Sequence, residues 1–198
     1  MIKRILMACG GFTIIGFGVA IMRVLELGVD PFGAFAVGLS NLSGLSFAII
    51  LLLLHSPIFI VMLWKTRRLI GAGTVLGMFG IGLMVDLFYY AVRLLPMEIA
   101  GLHLAVRLVI LAAMLVIFSF GIALYMVADI GIVPYDAIGV VAEDLTGGRL
   151  KFKWVRLTMD GICALAAFLL GATLGIATVL TVFCLGPFIS FFRERLTR

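Results

Sequence analysis

Charge is scarce in this chain: Asp, Glu, Lys and Arg make up 13% of its 198 residues, against about a quarter in soluble domains. With 64% hydrophobic residues and a mean hydropathy of +1.30, a water-soluble globular class is excluded and an integral membrane protein is indicated. Cysteine is nearly absent. Cys9, Cys163 and Cys184 all fall in apolar runs, with no CxxC pair and no adjacent His, so neither a disulfide framework nor a cysteine metal site is expected, and the three read as small buried hydrophobes. No Ser/His/Asp grouping, no carboxylate pair at catalytic spacing, no HExxH and no phosphate loop occurs, so neither an enzyme nor a bound cofactor or metal is expected. A cleavable leader is not expected either. Met1-Ile2-Lys3-Arg4 opens an apolar stretch too long for a signal core, with no clear small-residue cleavage site.

What the chain does contain is apolar runs, near residues 5–27, 45–64, 69–92, 102–128, 153–170 and 173–192. Most approach the roughly 20 residues that a helix needs to cross about 30 Å of hydrocarbon. Six spans in one all-α membrane domain, 1–198, are therefore expected. Lys and Arg of short loops stay on the cytoplasmic side. Placing the N-terminus inside collects Lys3, Arg4, Lys65, Arg67, Arg68, Arg149, Lys151, Lys153, Arg156, Arg193, Arg195 and Arg198 there, leaving Arg23, Arg93 and Arg107 outside. Both termini are thus expected on the cytoplasmic face of a bacterial inner membrane. The net charge of +5 then reflects topology and anionic lipid heads, and calls for no nucleic-acid partner.

The chain also repeats itself. Residues 18–44 align with 121–147 at a constant offset of 103, matching Gly18/Gly121, Gly28/Gly131, Pro31/Pro134, Ala34/Ala137 and Gly44/Gly147, with Glu26/Asp129 and Phe32/Tyr135 as conservative pairs. "GAGTVLGMFGIG" (71–82) then matches "GIATVLTVFCLG" (175–186) at an offset of 104, six of twelve positions identical. Two long blocks in one order indicate a duplication, 1–98 and 99–198. Three spans per half is an odd number, so the halves enter the bilayer from opposite faces. Inverted repeats of this kind recur in secondary transporters, which exchange conformations between two similar halves around a central site.

Each half interrupts its hydrophobic pattern with a proline element, "LGVDPFGAF" (27–35) and "IGIVPYDAI" (130–138). Pro31 and Pro134 suit the first position of a helix, Asp30 is an N-cap candidate, and Gly44 and Gly147-Gly148 are stop signals. About twelve helical residues span only some 18 Å, too short to cross. Each segment either dips into the membrane as a re-entrant half-helix or lies along the interface. If it dips, its first-turn N–H groups offer a site for an anion or carboxylate.

"LGVDPFGAF", "IGIVPYDAIGVVAEDLTG" and "GIATVLTVFCLGPFISFF" together resemble the YczE/YyaS/YitT group of bacterial integral membrane proteins, whose members carry a Gly-x-x-Pro-aromatic-Asp element of this kind. The similarity covers most of the chain and is best from about 115 to 190. The soluble C-terminal domain of YitT-like members is not among these residues, so the shorter YczE branch is the better match. The resemblance implies a multi-pass fold and a carrier role. Gly33 stands where the second copy has Asp136, so the two elements need not act alike.

Ionisable groups at membrane depth cost perhaps 2.5–3.5 kcal/mol on insertion scales, and each needs a reason. Asp86, late in the third span, is expected to reach water or Arg93 and to be structural. Asp160 sits one turn after Arg156, so an i,i+4 pair tethers the fifth span near the interface, or Asp160 is a pathway carboxylate. His55 lies at a comparable level of the sister helix. It is either a neutral imidazole bonded to a carbonyl, such as one freed by Pro57, or part of a proton relay. Thr74 and Thr178 survive in both copies, through helix packing or as pathway hydroxyls. Glu26 and Asp129 are assigned structural or coupling roles. The leading functional expectation is a secondary carrier for a small organic anion or an amino-acid-like solute, with Asp30, Pro31, Phe32, Pro134, Tyr135 and Asp136 at its site, helped by His55 or Asp160. A substrate-binding subunit energised by an ATPase partner, and a non-transporting accessory protein, compete with it. A homodimer and a monomer are both open.

Overall fold

The computed structural model describes residues 1–96, 99–172 and 174–197. The expected start of the sixth run at 173, the repeat boundary at 98 and Arg198 lie outside them. Among the described residues the chain forms eight α-helices, two 3-10 turns and no strand. The helices are α1 (Ile2–Val24), α2 (Pro31–Ser43), α3 (Phe47–Lys65), α4 (Ala72–Arg93), α5 (Leu104–Val127), α6 (Pro134–Leu145), α7 (Phe152–Leu169) and α8 (Ile176–Leu196). The succession of a long helix, a short one and two further long ones occurs twice. Five of them, α1, α3, α4, α5 and α8, are long and apolar enough to cross a membrane. The expected fifth span, α7, is a continuous helix of 18 residues, but Lys153, Arg156 and Asp160 interrupt its apolar run and keep it out of that set.

The local rules place the short helices as expected. Asp30 caps α2, its side chain accepting from the Gly33 N–H at 2.9 Å, with Pro31 in the first turn. Gly44 ends α2 in the left-handed conformation at φ 71°, the usual work of a residue without Cβ. In α6 the N-cap is Val133, with Pro134 next and Gly147 and Gly148 at positive φ beyond its end. The first turns of both short helices are buried, while Leu42 and Leu145 near their C-terminal ends are exposed.

α1 and α5 pack against each other at the centre, with α4 laid on α1 and α8 on α5. Gly11 and Gly121 allow the central contact: a Cβ on Gly11 would meet the Gly121 carbonyl at 2.7 Å. Each short helix crosses to the other half of the chain, α2 packing on α7 and α6 on α3.

The turn after the first long helix is built alike in both halves. Glu26 and Asp129 both take φ 53°, and Gly28 and Gly131 take φ 92° and 112°. Each turn then bonds to the last helix of the opposite half, the Ala177 N–H to the Leu27 carbonyl at 2.9 Å and the Gly73 N–H to the Ile130 carbonyl at 2.7 Å. Glu26 and Asp129 are therefore exposed turn residues, Asp129 also pairing with Arg4 at 3.2 Å. Arg4, Asp129, Arg68 and Gly71 line one surface recess, so the N-terminus and the α3–α4 connection share one end of the molecule.

Candidate functional site

The first turns of α2 and α6 meet at the centre of the fold. Phe32 stacks on Tyr135 with centroids 4.1 Å apart and planes 18° from parallel. These rings occupy equivalent positions of the two copies, so the halves touch at corresponding residues. A cavity of about 60 Å³ opens beside the stack, room for on the order of four water-sized groups. Its walls include five equivalent pairs: Ile15/Phe118, Val19/Ile122, Asp30/Val133, Phe32/Tyr135 and Gly33/Asp136. Phe47, Leu51, His55, Ile81 and Val85 come from α3 and α4, and Arg156 is the one lining residue from α7.

Charge in this interior is organised around Arg156. Its Nε donates to Asp160 Oδ2 at 3.0 Å, one turn on, and its Nη1 pairs with Asp136 on α6. Its guanidinium also lies 4.6 Å from the Tyr135 ring. Two hydroxyls complete the set, Tyr135 O–H donating to Asp160 Oδ1 at 2.7 Å and Tyr125 O–H to Asp136 Oδ2. Asp160 is fully buried behind Tyr135 and Arg156 and does not line the cavity. The expected i,i+4 pair is present and is buried within the protein. Arg156 is thus a buried helix residue and not one of the loop charges counted from the sequence.

Two polar atoms at the cavity remain without a protein hydrogen-bond partner, and among the described residues Arg23 Nη1, elsewhere in the fold, is a third. Asp30 uses Oδ2 on the Gly33 N–H, while its buried Oδ1 accepts nothing. The buried Nδ1 of His55 makes no hydrogen bond of good geometry either, although the Leu51 backbone, one turn earlier, lies within reach of the imidazole. Both residues line the cavity, and His55 packs on Phe32 with centroids 5.2 Å apart. Burying such a group unpaired costs about 1–3 kcal/mol.

Other sequence candidates lie elsewhere. Thr178 donates to the Val29 carbonyl at 2.8 Å and Thr74 to that of Leu69 at 3.2 Å. Both are buried, Thr178 tying α8 to the turn before α2 and Thr74 fixing the connection that starts α4, and neither lines the cavity. Asp86 does not reach Arg93, which donates to Tyr89 instead. Asp86 accepts from the Ala48 N–H in the first turn of α3 at 3.1 Å and lies 3.6 Å from Arg23, because the tertiary packing of α3 on α4 brings that helix end to it. Pro31 and Pro134 start the two short helices and lie outside the lining. Sequence reasoning missed Tyr125 and the Asp136–Arg156 pair. A tyrosine in a transmembrane run gives no periodic signal, and the pair joins residues of different helices. Among the described residues no group of three or more His, Cys, Asp or Glu could hold a metal ion.

Comparison with known proteins places the chain among bacterial proteins of unknown function. YczE of Bacillus subtilis, described as an uncharacterized membrane protein, is 25% identical over 182 residues, 91% of this chain and 81% of its own. YyaS of the same organism, an uncharacterized protein, is 28% identical over 183 residues, 89% of this chain and 85% of its own. An uncharacterized protein of Haemophilus influenzae is 25% identical over 197 residues, covering 99% and 86%. No solved structure matches the chain. Residues 2–194 match the family of unknown function DUF6198, and this integral membrane protein belongs to that family.

Proposed function

We propose that the protein is a small secondary carrier of the bacterial cytoplasmic membrane, with its solute site in the cavity between α2 and α6. It has two halves, 1–98 and 99–198, threaded through the bilayer in opposite senses. α7 serves as the sixth span: 18 residues reach about 27 Å, and Arg156 and Asp160 turn inward to partners rather than toward lipid. α2 and α6 are re-entrant, with first turns at depth. Both termini and the Arg68 loop face the cytoplasm, in keeping with the concentration of Lys and Arg.

The observation that carries this reading is a cavity with ionisable walls where the two broken helices meet, inside a largely apolar protein. Ionisable groups at membrane depth are retained chiefly for a pathway or a binding site, and broken helices meeting between repeats are where secondary carriers hold solute. Each turn latches onto the last helix of the opposite half, which gives a moving half something to release.

The test is reconstitution of the purified protein alone into vesicles carrying a proton or solute gradient. A panel of organic cations, amino acids and organic anions is then assayed for saturable counterflow. Counterflow of at least one solute is expected. Failure of every solute, with correctly folded protein, removes the carrier reading, and copurification with an ATPase module would point to the binding-subunit reading.

A further inference from the structure

Resting on the carrier reading for its location, we infer that the central cavity binds a small cation bearing N–H donors, of the ammonium or short primary-amine class. Three carboxylates, Asp30, Asp136 and Asp160, surround one guanidinium, Arg156. Asp136 and Asp160 are engaged with Arg156 and with the Tyr125 and Tyr135 hydroxyls. Asp30 is the carboxylate left without a cation, and its Oδ1 is the unpartnered atom. A cation is what such a buried site lacks.

The donor chemistry narrows the cation. Alkali ions take several oxygen ligands, and Ca²⁺ six or more. Here the Tyr125 and Tyr135 hydroxyls give their protons to Asp136 and Asp160, Tyr125 lies outside the lining, and Asp30 Oδ1 is the carboxylate oxygen among the lining side chains that accepts nothing. A second acceptor is the imidazole of His55, 3% exposed, which in its neutral form takes an N–H. Asp30 and His55 line the same cavity, so an ammonium held there has both as its acceptors. The volume holds one or two heavy atoms beyond the nitrogen.

The anion expected from the helix N-termini finds its place taken. The Gly33 N–H is bonded to the chain's own Asp30, and Asp136 stands in the first turn of α6. Asp30 at the N-cap and Asp136 two residues after Pro134 put one carboxylate at the start of each short helix. The copies thus keep the charge while moving it by three positions.

The experiment measures binding and transport separately. Methylammonium chloride is titrated into detergent-purified protein, with binding followed by calorimetry and thermal stability, against sodium chloride, potassium chloride, glycine and sodium acetate. Saturable binding of methylammonium with a raised Tm is expected, and no saturable binding of the other four. Asp30→Asn retains the acceptor for Gly33 and should weaken methylammonium binding about tenfold or more while leaving the Tm of the free protein nearly unchanged. His55→Gln should weaken it less, since the amide oxygen still accepts an N–H. Binding of acetate or glycine in preference to methylammonium overturns the inference, as does binding only of Na⁺ or K⁺, no binding at all, or wild-type affinity in Asp30→Asn. Labelled methylammonium is then offered to vesicles. Binding without counterflow keeps the cation site and removes the carrier, whereas counterflow of a different solute without methylammonium binding does the reverse.

Discussion

The guanidinium of Arg156 is held between two carboxylates with only 4% of its side chain exposed. Removing one partner of such a buried set leaves the others uncompensated, at a cost of about 3–5 kcal/mol. Arg156→Met should therefore lower the stability of the purified protein by that amount, read as a loss of Tm or of resistance to denaturant. Arg156→Lys should be nearly as harmful, because one ammonium cannot reproduce the fork that faces α6 and its own helix at once. Arg68 is the contrast. It pairs with Asp144 at the surface, 66% and 45% exposed, so Arg68→Gln should cost less than about 1 kcal/mol. If both substitutions cost the same, the interior charge set is not holding α6 to α7.

At the scale of elements, the turns that precede α2 and α6 are the tightest joints in the fold. A Cβ on Gly28 would meet Thr178 Oγ1 at 2.6 Å and Gly175 N at 2.7 Å, and one on Gly131 would meet Gly71 N and Thr74 Oγ1 at 2.6 Å each. Both glycines also have φ near +100°, at 92° and 112°, where L side chains are strained by about 1–3 kcal/mol. Gly28→Ala and Gly131→Ala should each lower the Tm clearly. Gly80→Ala and Gly161→Ala, in helices with nothing within 4 Å of the added Cβ, should leave it unchanged or raise it. These turns were legible from the sequence, as were the proline starts and the Asp30 cap, because each depends on residues next to one another in the chain, whereas the ends of the long helices were legible only to within a few residues, α1 running Ile2–Val24 against an expected 5–27. The charge set was legible only in its local half. Arg156 and Asp160 are one turn apart, but Asp136 arrives from α6, and no periodicity reports a contact between helices. Asp86 was misread for the same reason, its nearest charge along the helix being Arg93 and its partner in space Arg23.

At the scale of the whole molecule, nearly every feature of one half has a counterpart in the other: the left-handed pair Glu26/Asp129, the latches at Leu27 and Ile130, and the stacked Phe32 and Tyr135. The charges break this symmetry, since Arg156 and Asp160 answer to Leu52 and Ser56 at the offset of the second block. A carrier built this way keeps one binding surface while two similar scaffolds alternate around it, which requires the halves to be inverted in the lipid. Asn41 and Asp144 test that requirement, being equivalent by the offset of 103 and both exposed near the ends of α2 and α6. In a chain with Cys9, Cys163 and Cys184 replaced by Ala, Asn41→Cys should react with a membrane-impermeant maleimide added to intact cells. Asp144→Cys should react only after the membrane is opened. Modification of both from the same side would mean parallel halves, and the central cavity would then lose the two-sided access on which a carrier depends.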